Sequence, residues 1–88
     1  MFYVYCLKSK RDNSLYLGYT NDLRRRVKEH NEGLSKYTQA KRPYELVYYE
    51  AYRSQKDAKV REENLKKFAR AYQLLKKRIK LSLENVSR

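Results

Sequence analysis

Two short runs rich in aromatic and aliphatic side chains lie close together in the chain: Phe2-Tyr3-Val4-Tyr5-Cys6-Leu7 and Leu15-Tyr16-Leu17-Gly18-Tyr19. Side chains of this kind favour strands. The stretch between them is polar from Lys8 to Asn13 and carries Asp12-Asn13 near its tip, which is turn chemistry. So short a connection makes a β-hairpin the default. Side chains alternate along a strand, so Tyr3, Tyr5 and Leu7 share one face of the first run. Tyr16 and Gly18 share one face of the second. The rest of the chain has to be built onto this hairpin.

Thr20-Asn21-Asp22 then offers helix N-caps, and Asp22 suits the positive end of a helix dipole. A helix is expected to about His30, closed by Asn31-Glu32-Gly33 with Gly33 as a left-handed stop. Residues 34–43 read as a polar, basic loop containing Lys36, Lys41, Arg42 and Pro43. Tyr44 to Tyr52 reads as a third strand. Ser54 caps a second helix beginning near Gln55. Its apolar positions, Ala58, Leu65, Phe68, Ala69, Tyr72, Leu75 and Ile79, recur at helical spacing. No Gly or Pro interrupts residues 44–88. The chain there is either one long helix from about 55 to 83 or two helices broken near 69–71. The order β-β-α-β-α-α predicts an α+β fold, a small three-stranded antiparallel sheet flanked by helices.

The 88 residues make one domain, 1–88. A chain of this size buries roughly 60% of its unfolded surface, so its core is small. Ten tyrosines supply apolar area while keeping hydroxyls that need partners. The net charge is +12. Residues 66–88 carry eight basic residues against one acidic, and a basic C-terminal helix is expected over about 66–83. Such a surface attracts polyanions, nucleic acid first and anionic membrane second. Membrane docking by the 66–83 stretch is disfavoured, because its apolar stripe continues the core pattern of the preceding helix. The lone Cys6 excludes an intrachain disulfide and suits inert core. The absence of staples, signal peptide and membrane span leads to the expectation of a cytoplasmic protein, nucleoid-associated in a bacterium.

Three consecutive arginines, Arg24-Arg25-Arg26, cannot share one face of a helix that turns about 100° per residue. Taking Leu23 and Val27 as the inner stripe, Arg26 and His30 flank it and Arg25 falls opposite. Burying an unpaired guanidinium is costly, so Arg26 needs an anion: a carboxylate of the chain or a bound phosphate. Arg24 and Arg25 are left for solvent or phosphate. On the second helix, Glu62 interrupts the inner stripe and Glu63 looks outward. Glu62 either pairs with Arg26 or ligates a metal ion.

Read in order, Tyr3-Val4-Tyr5, Tyr16-Leu17-Gly18, Arg26 ten residues past Tyr16, His30 with Asn31 and Gly33, the loop Thr38 to Leu46 with Arg42-Pro43, and Ala58, Glu62, Leu65-Lys66 resemble the GIY-YIG nuclease superfamily. The resemblance covers nearly the whole chain. It is to the short, stand-alone members, similar to the N-terminal catalytic domain of the excision-repair nuclease. Tyr3 replaces the first glycine of the signatures, Val4 and Leu17 replace the isoleucines, and Tyr19 stands where excision-repair relatives tend to carry lysine.

The resemblance implies a DNA endonuclease that hydrolyses phosphodiesters with one Mg²⁺ or Mn²⁺, structure-specific or weakly sequence-specific, in DNA repair or recombination. Glu62 would hold the metal and Arg26 would neutralise the phosphoryl oxygens. Tyr5 is the candidate general base, its ordinary pKa of about 10 needing to be lowered by metal and cations. Tyr16 would orient water or phosphate, and His30 would hydrogen-bond Tyr5 or share the base role. Arg24, Arg25, Lys36, Lys41, Arg42, Lys66, Lys67 and Arg70 are candidate DNA contacts, the helical ones as diffuse or solvated charge. The expected partner is DNA, branched or flapped, with an unidentified protein partner supplying specificity and no membrane. The alternative is a non-catalytic nucleic-acid-binding module with a vestigial nuclease site.

Overall fold

The structure, a computed structural model, describes residues 1–84; the expected domain, 1–88, runs past them. The hairpin forms as β1 (Phe2–Ser9) and β2 (Leu15–Thr20). Its turn is held by the Ser9 hydroxyl, which accepts from the amides of Arg11 and Asp12. Asn13 turns the corner with φ 65°, a left-handed conformation that asparagine tolerates. The third strand, β3 (Tyr44–Tyr52), adds to the other edge of β1, giving the antiparallel order β2-β1-β3. Tyr5 lies opposite Gly18 on β2 and Tyr49 on β3, and the β1–β3 register shifts between Cys6 and Leu7.

Helix α1 (Leu23–Asn31) starts where Asp22 accepts from the Arg25 amide at 3.1 Å. The chain turns after it at Gly33, φ +80°. Helix α2 (Gln55–Lys67) starts where Ser54 accepts from the Asp57 amide. Both faces of the sheet are covered. Val4, Cys6 and Leu17 pack with Ala58, Leu65, Leu75 and Ile79 from the C-terminal helices. On the opposite face Tyr5, Leu7 and Tyr44 pack with Tyr16 and with Leu23 and Val27 of α1. This division follows from the alternation of the central strand.

The C-terminal stretch follows the alternative of two helices, broken at Phe68 beside the expected 69–71, and the single basic helix expected over about 66–83 is divided. Lys66 and Lys67 end α2. Phe68 is extended, with φ −110° and ψ 109°. Helix α3 (Ala69–Arg78) and the short α4 (Lys80–Leu83) follow. A straight helix over 55–83 would be roughly 43 Å long at 1.5 Å per residue, whereas the longest extent of the molecule is 31 Å. Leu75 and Ile79 reach the core only because the chain folds back. The break also resets the phase: Phe68 and Ala69, expected on the inner stripe, are exposed.

Candidate active site

Tyr5 stands at the middle of the central strand, its side chain 1% exposed. It can lie there because its cross-strand partner is glycine: a Cβ on Gly18 would come within 2.3 Å of the Tyr5 Cζ and hydroxyl oxygen. From α1, fully buried His30 approaches the same hydroxyl, with Nε2 2.8 Å from it. The other ring nitrogen, Nδ1, lies 2.7 Å from the hydroxyl of Thr38. Thr38 in turn faces the Ser35 carbonyl at 3.5 Å and donates to it. Both ring nitrogens are therefore engaged, and the tautomer with Nδ1–H donating to Thr38 and Nε2 accepting from Tyr5 leaves the Thr38 hydroxyl free to donate to Ser35.

Burial pushes the His30 pKa down to about 4; Arg26 adds to the fall and Glu29 opposes it. The ring is therefore neutral at pH 7, with one nitrogen able to accept and the other to donate. The Tyr5 hydroxyl moves the other way. Burial pushes it up to about 12 against the pull of Arg26, with Tyr16 and Glu62 adding to the rise. Arg26 by itself does not overcome the loss of water around the ring, so the lowering that a base role asks of Tyr5 falls to the metal as well as to cations.

Tyr16 stacks edge-on to His30, centroids 5.1 Å apart. Arg26 does lean inward, as its helical phase requires, and its side chain keeps 31% exposure. Its anion within the chain is Glu29, 3.0 Å away on the next turn, and not Glu62. Glu62, 18% exposed, pairs instead with Lys66 at 2.7 Å. Lys66 also lies over the Tyr16 ring, 5.7 Å from its centroid. Lys66, its side chain half exposed, sits between two of the site residues. The five expected residues Tyr5, Tyr16, Arg26, His30 and Glu62 thus belong to one connected cluster, the last reached through Lys66.

A divalent ion fits the donor set only in one way. His30 has both nitrogens engaged, so the carboxylate of Glu62, which Lys66 holds through one oxygen, would be the ligand. Among the described residues no group of three or more His, Cys, Asp or Glu side chains could hold a metal. A lone carboxylate suits a hard ion that keeps most of its water, as Mg²⁺ does.

The expected DNA contacts separate into two kinds. Lys41 pairs with Asp12 at 3.2 Å and Arg25 reaches Glu29 at 3.7 Å. Arg42 lies across the backbone of Gly33, where a Cβ would strike its guanidinium. Among the described residues Arg24, Lys36, Arg42, Lys67 and Arg70 form no ion pair. Cys6 is buried and burial pushes its thiol up to about 11, which leaves it inert.

Sequence reasoning missed three partners. Thr38 and Glu29 tune the site; no local signal marks Thr38, whereas Glu29 stands at i+3 from Arg26 and i+4 from Arg25, the spacing of helical ion pairs. The third is Glu50 on β3, bonded by Arg61 of α2 and by the hydroxyls of Tyr48 and Tyr52. Two substitutions in the signatures also find reasons. Tyr3 packs edge-on against Tyr49, centroids 5.9 Å apart, and Tyr19 carries Lys59 over its ring.

Residues 1–79 match the family described as the GIY-YIG catalytic domain. A UPF0213 protein of Clostridium perfringens is 47% identical over 75 residues, spanning 84% of this chain and 80% of that protein. The UPF0213 protein YazA of Bacillus subtilis is 46% identical over 69 residues, spanning 77% and 69%. The solution NMR structure of a UPF0213 protein from Bacillus halodurans superposes with a TM-score of 0.51 at 39% identity, covering 85% of this chain and 83% of that one. The expected family resemblance and the expected α+β fold are both borne out.

Proposed function

Because the chain belongs to the GIY-YIG catalytic-domain family, we propose that it is a divalent-metal-dependent endonuclease that hydrolyses DNA phosphodiesters. Family membership implies nuclease-type activity on DNA; the metal, the residue roles and the preference for branched or flapped DNA are our reading. The observation that carries it is the Tyr5–His30–Thr38 relay, a buried hydroxyl hydrogen-bonded at 2.8 Å to a neutral imidazole.

A water attacking phosphorus gives its proton to the Tyr5 oxygen while Tyr5 passes its own to His30 Nε2. Thr38 holds His30 in the tautomer that can accept. This explains how a tyrosine with a raised pKa serves as base: it never has to be a free phenolate. Arg26 offers its guanidinium to the phosphoryl oxygens, where a planar fork outperforms a point charge. Tyr16 and Lys66 fix the wall of the site beside them. Glu62 would hold Mg²⁺ or Mn²⁺, which supplies charge neutralisation at the phosphate when bound. The P–O bond to water forms as the bond to the leaving oxygen breaks; that oxygen takes its proton from solvent water, and His30 returns the proton it received to solvent.

The test is nicking of linear, flapped and branched DNA with Mg²⁺, Mn²⁺ or chelator. Glu62→Ala and Arg26→Lys should each lower the rate by at least about 100-fold, the size typical of losing one transition-state donor. Arg24→Ala and Arg25→Ala should leave it within a few-fold. Intact DNA on every substrate with both ions, from folded protein, would overturn the reading. Equal losses at all three arginines would reduce the run to an electrostatic patch. One observation favours the second reading, a nucleic-acid-binding module without catalysis: Lys66 occupies the Glu62 carboxylate at 2.7 Å. Metal-independent binding with no cleavage would support it.

A further inference from the structure

The loop between α1 and β3 carries an aromatic ring that the relay does not use. Tyr37 is 88% exposed, more than any other large apolar or aromatic side chain described. Among the described residues its hydroxyl has no hydrogen-bond partner, and no aromatic ring or cation covers either face. A ring so placed is ordinary on a mobile loop, but this loop is firmly anchored. The Leu34 amide bonds the Glu29 carbonyl, those of Thr38 and Gln39 bond Ser35, and the Lys41 carbonyl accepts from Ser9 at 2.6 Å. Ser35 and Thr38 on either side are buried. Tyr37 is thus a ring on a rigid mount, one residue from the Thr38 that fixes His30.

The loop that carries it bears one sign of charge. From Gly33 to Tyr44 there are three basic residues and no acidic one. Of these, Lys36 and Arg42 form no ion pair among the described residues. An exposed ring with both faces open beside unpaired cations is the arrangement that binds a nucleic-acid strand through base stacking and phosphate attraction together.

We infer that Tyr37 is a stacking platform for an unpaired nucleobase of a DNA strand, held while Lys36 and Arg42 attract the flanking phosphates. A base inside a continuous duplex has both faces covered by its neighbours, so the platform selects strands whose bases are splayed or unpaired. Arriving one residue from Thr38, the stacked nucleotide brings its backbone towards the relay. The inference rests on the nuclease reading for the identity of the strand as DNA, and on nothing else in it.

Binding measured in chelator, where nothing is cleaved, tests it. Fluorescence anisotropy with a labelled single-stranded oligodeoxynucleotide and with a duplex of the same sequence compares wild type, Tyr37→Ala and Tyr37→Phe. The alanine variant should bind the single strand roughly tenfold more weakly, within the range that losing one stacked base produces. It should bind the duplex within about twofold of wild type, as expected if only the stack is lost. Tyr37→Phe should retain both affinities, since it keeps the ring. Unchanged single-strand affinity in Tyr37→Ala, or an equal loss on both DNAs, would overturn the platform. So would wild type that binds no single strand. Cleavage is read separately in Mg²⁺, so an inactive protein that still shows the Tyr37 difference removes the nuclease reading and keeps this one.

Discussion

His30 is the chain's single histidine, and its two hydrogen bonds give it a fixed direction. Its folded pKa lies near 4, below the ordinary value of about 6.5. Between those two values the unfolded chain binds the proton and the folded chain does not. Stability from this residue is therefore complete above about 6.5 and falls as pH drops towards 4. Because no other imidazole is present, NMR can follow it directly: the ring should stay in its neutral form down to about pH 5. A midpoint near 6.5 would mean that the ring is solvated and the relay broken. At the same scale, the kept glycine of the second signature has a concrete reason. Only a residue without Cβ leaves room for the Tyr5 hydroxyl that His30 meets.

Strands and helices are joined by side chains whose value shows only in pairs of elements. Glu50 on β3 is the example. Burial pushes its carboxyl up, but Arg61 and the Tyr48 and Tyr52 hydroxyls outweigh this and hold it below its ordinary value. The group clamps α2 to the sheet, and α2 carries Glu62. Glu50→Ala would leave a guanidinium and two hydroxyls short of an acceptor. It should cost about 1–3 kcal/mol in urea unfolding, the range for stranded polar groups. The loss should stay below the 3–5 kcal/mol typical of fully buried pairs, because Arg61 keeps 31% exposure. A loss under about 0.5 kcal/mol, the range of ordinary surface changes, would show that the apolar contacts of α2 hold it unaided. The break at Phe68 belongs to this scale too. Helical periodicity allowed the chain to continue straight, whereas the break brings Leu75 and Ile79 back onto the core beside Ala58 and Leu65.

Across the whole molecule the charge is uneven in a second sense, between cations that are engaged and cations that are not. Arg25, Arg26, Lys41, Arg61 and Lys66 have carboxylate partners. Among the described residues Arg24, Lys36, Arg42, Lys67 and Arg70, of the expected DNA contacts, do not, which leaves them able to displace counterions from DNA. The logarithm of duplex affinity should fall linearly with the logarithm of salt, with a slope of about −0.9 per phosphate neutralised. Titration of wild type and of Arg70→Ala by anisotropy checks this. The variant should have a slope shallower by about one. Affinity that does not change between about 50 and 200 mM salt would exclude phosphate neutralisation as the basis of binding.

Among the described residues no helix is long and apolar enough to cross a membrane. The residues alone determined the three strands, both N-caps, the stop at Gly33 and the inward lean of Arg26. Each of these is set by alternation, helical phase or local backbone chemistry. They also determined the family, because its signatures lie on those same local elements. Tertiary structure decided the partners. Arg26 chose Glu29 over Glu62, Lys66 joined the site, Thr38 oriented His30, and the C-terminal helix folded back at Phe68. The pairs Arg26–Glu29 and Glu62–Lys66 are one-turn neighbours on single helices; that they prevail over a pairing across helices, and the other choices, depend on distances between segments remote in the chain and on the burial that shifts Tyr5 and His30 in opposite directions.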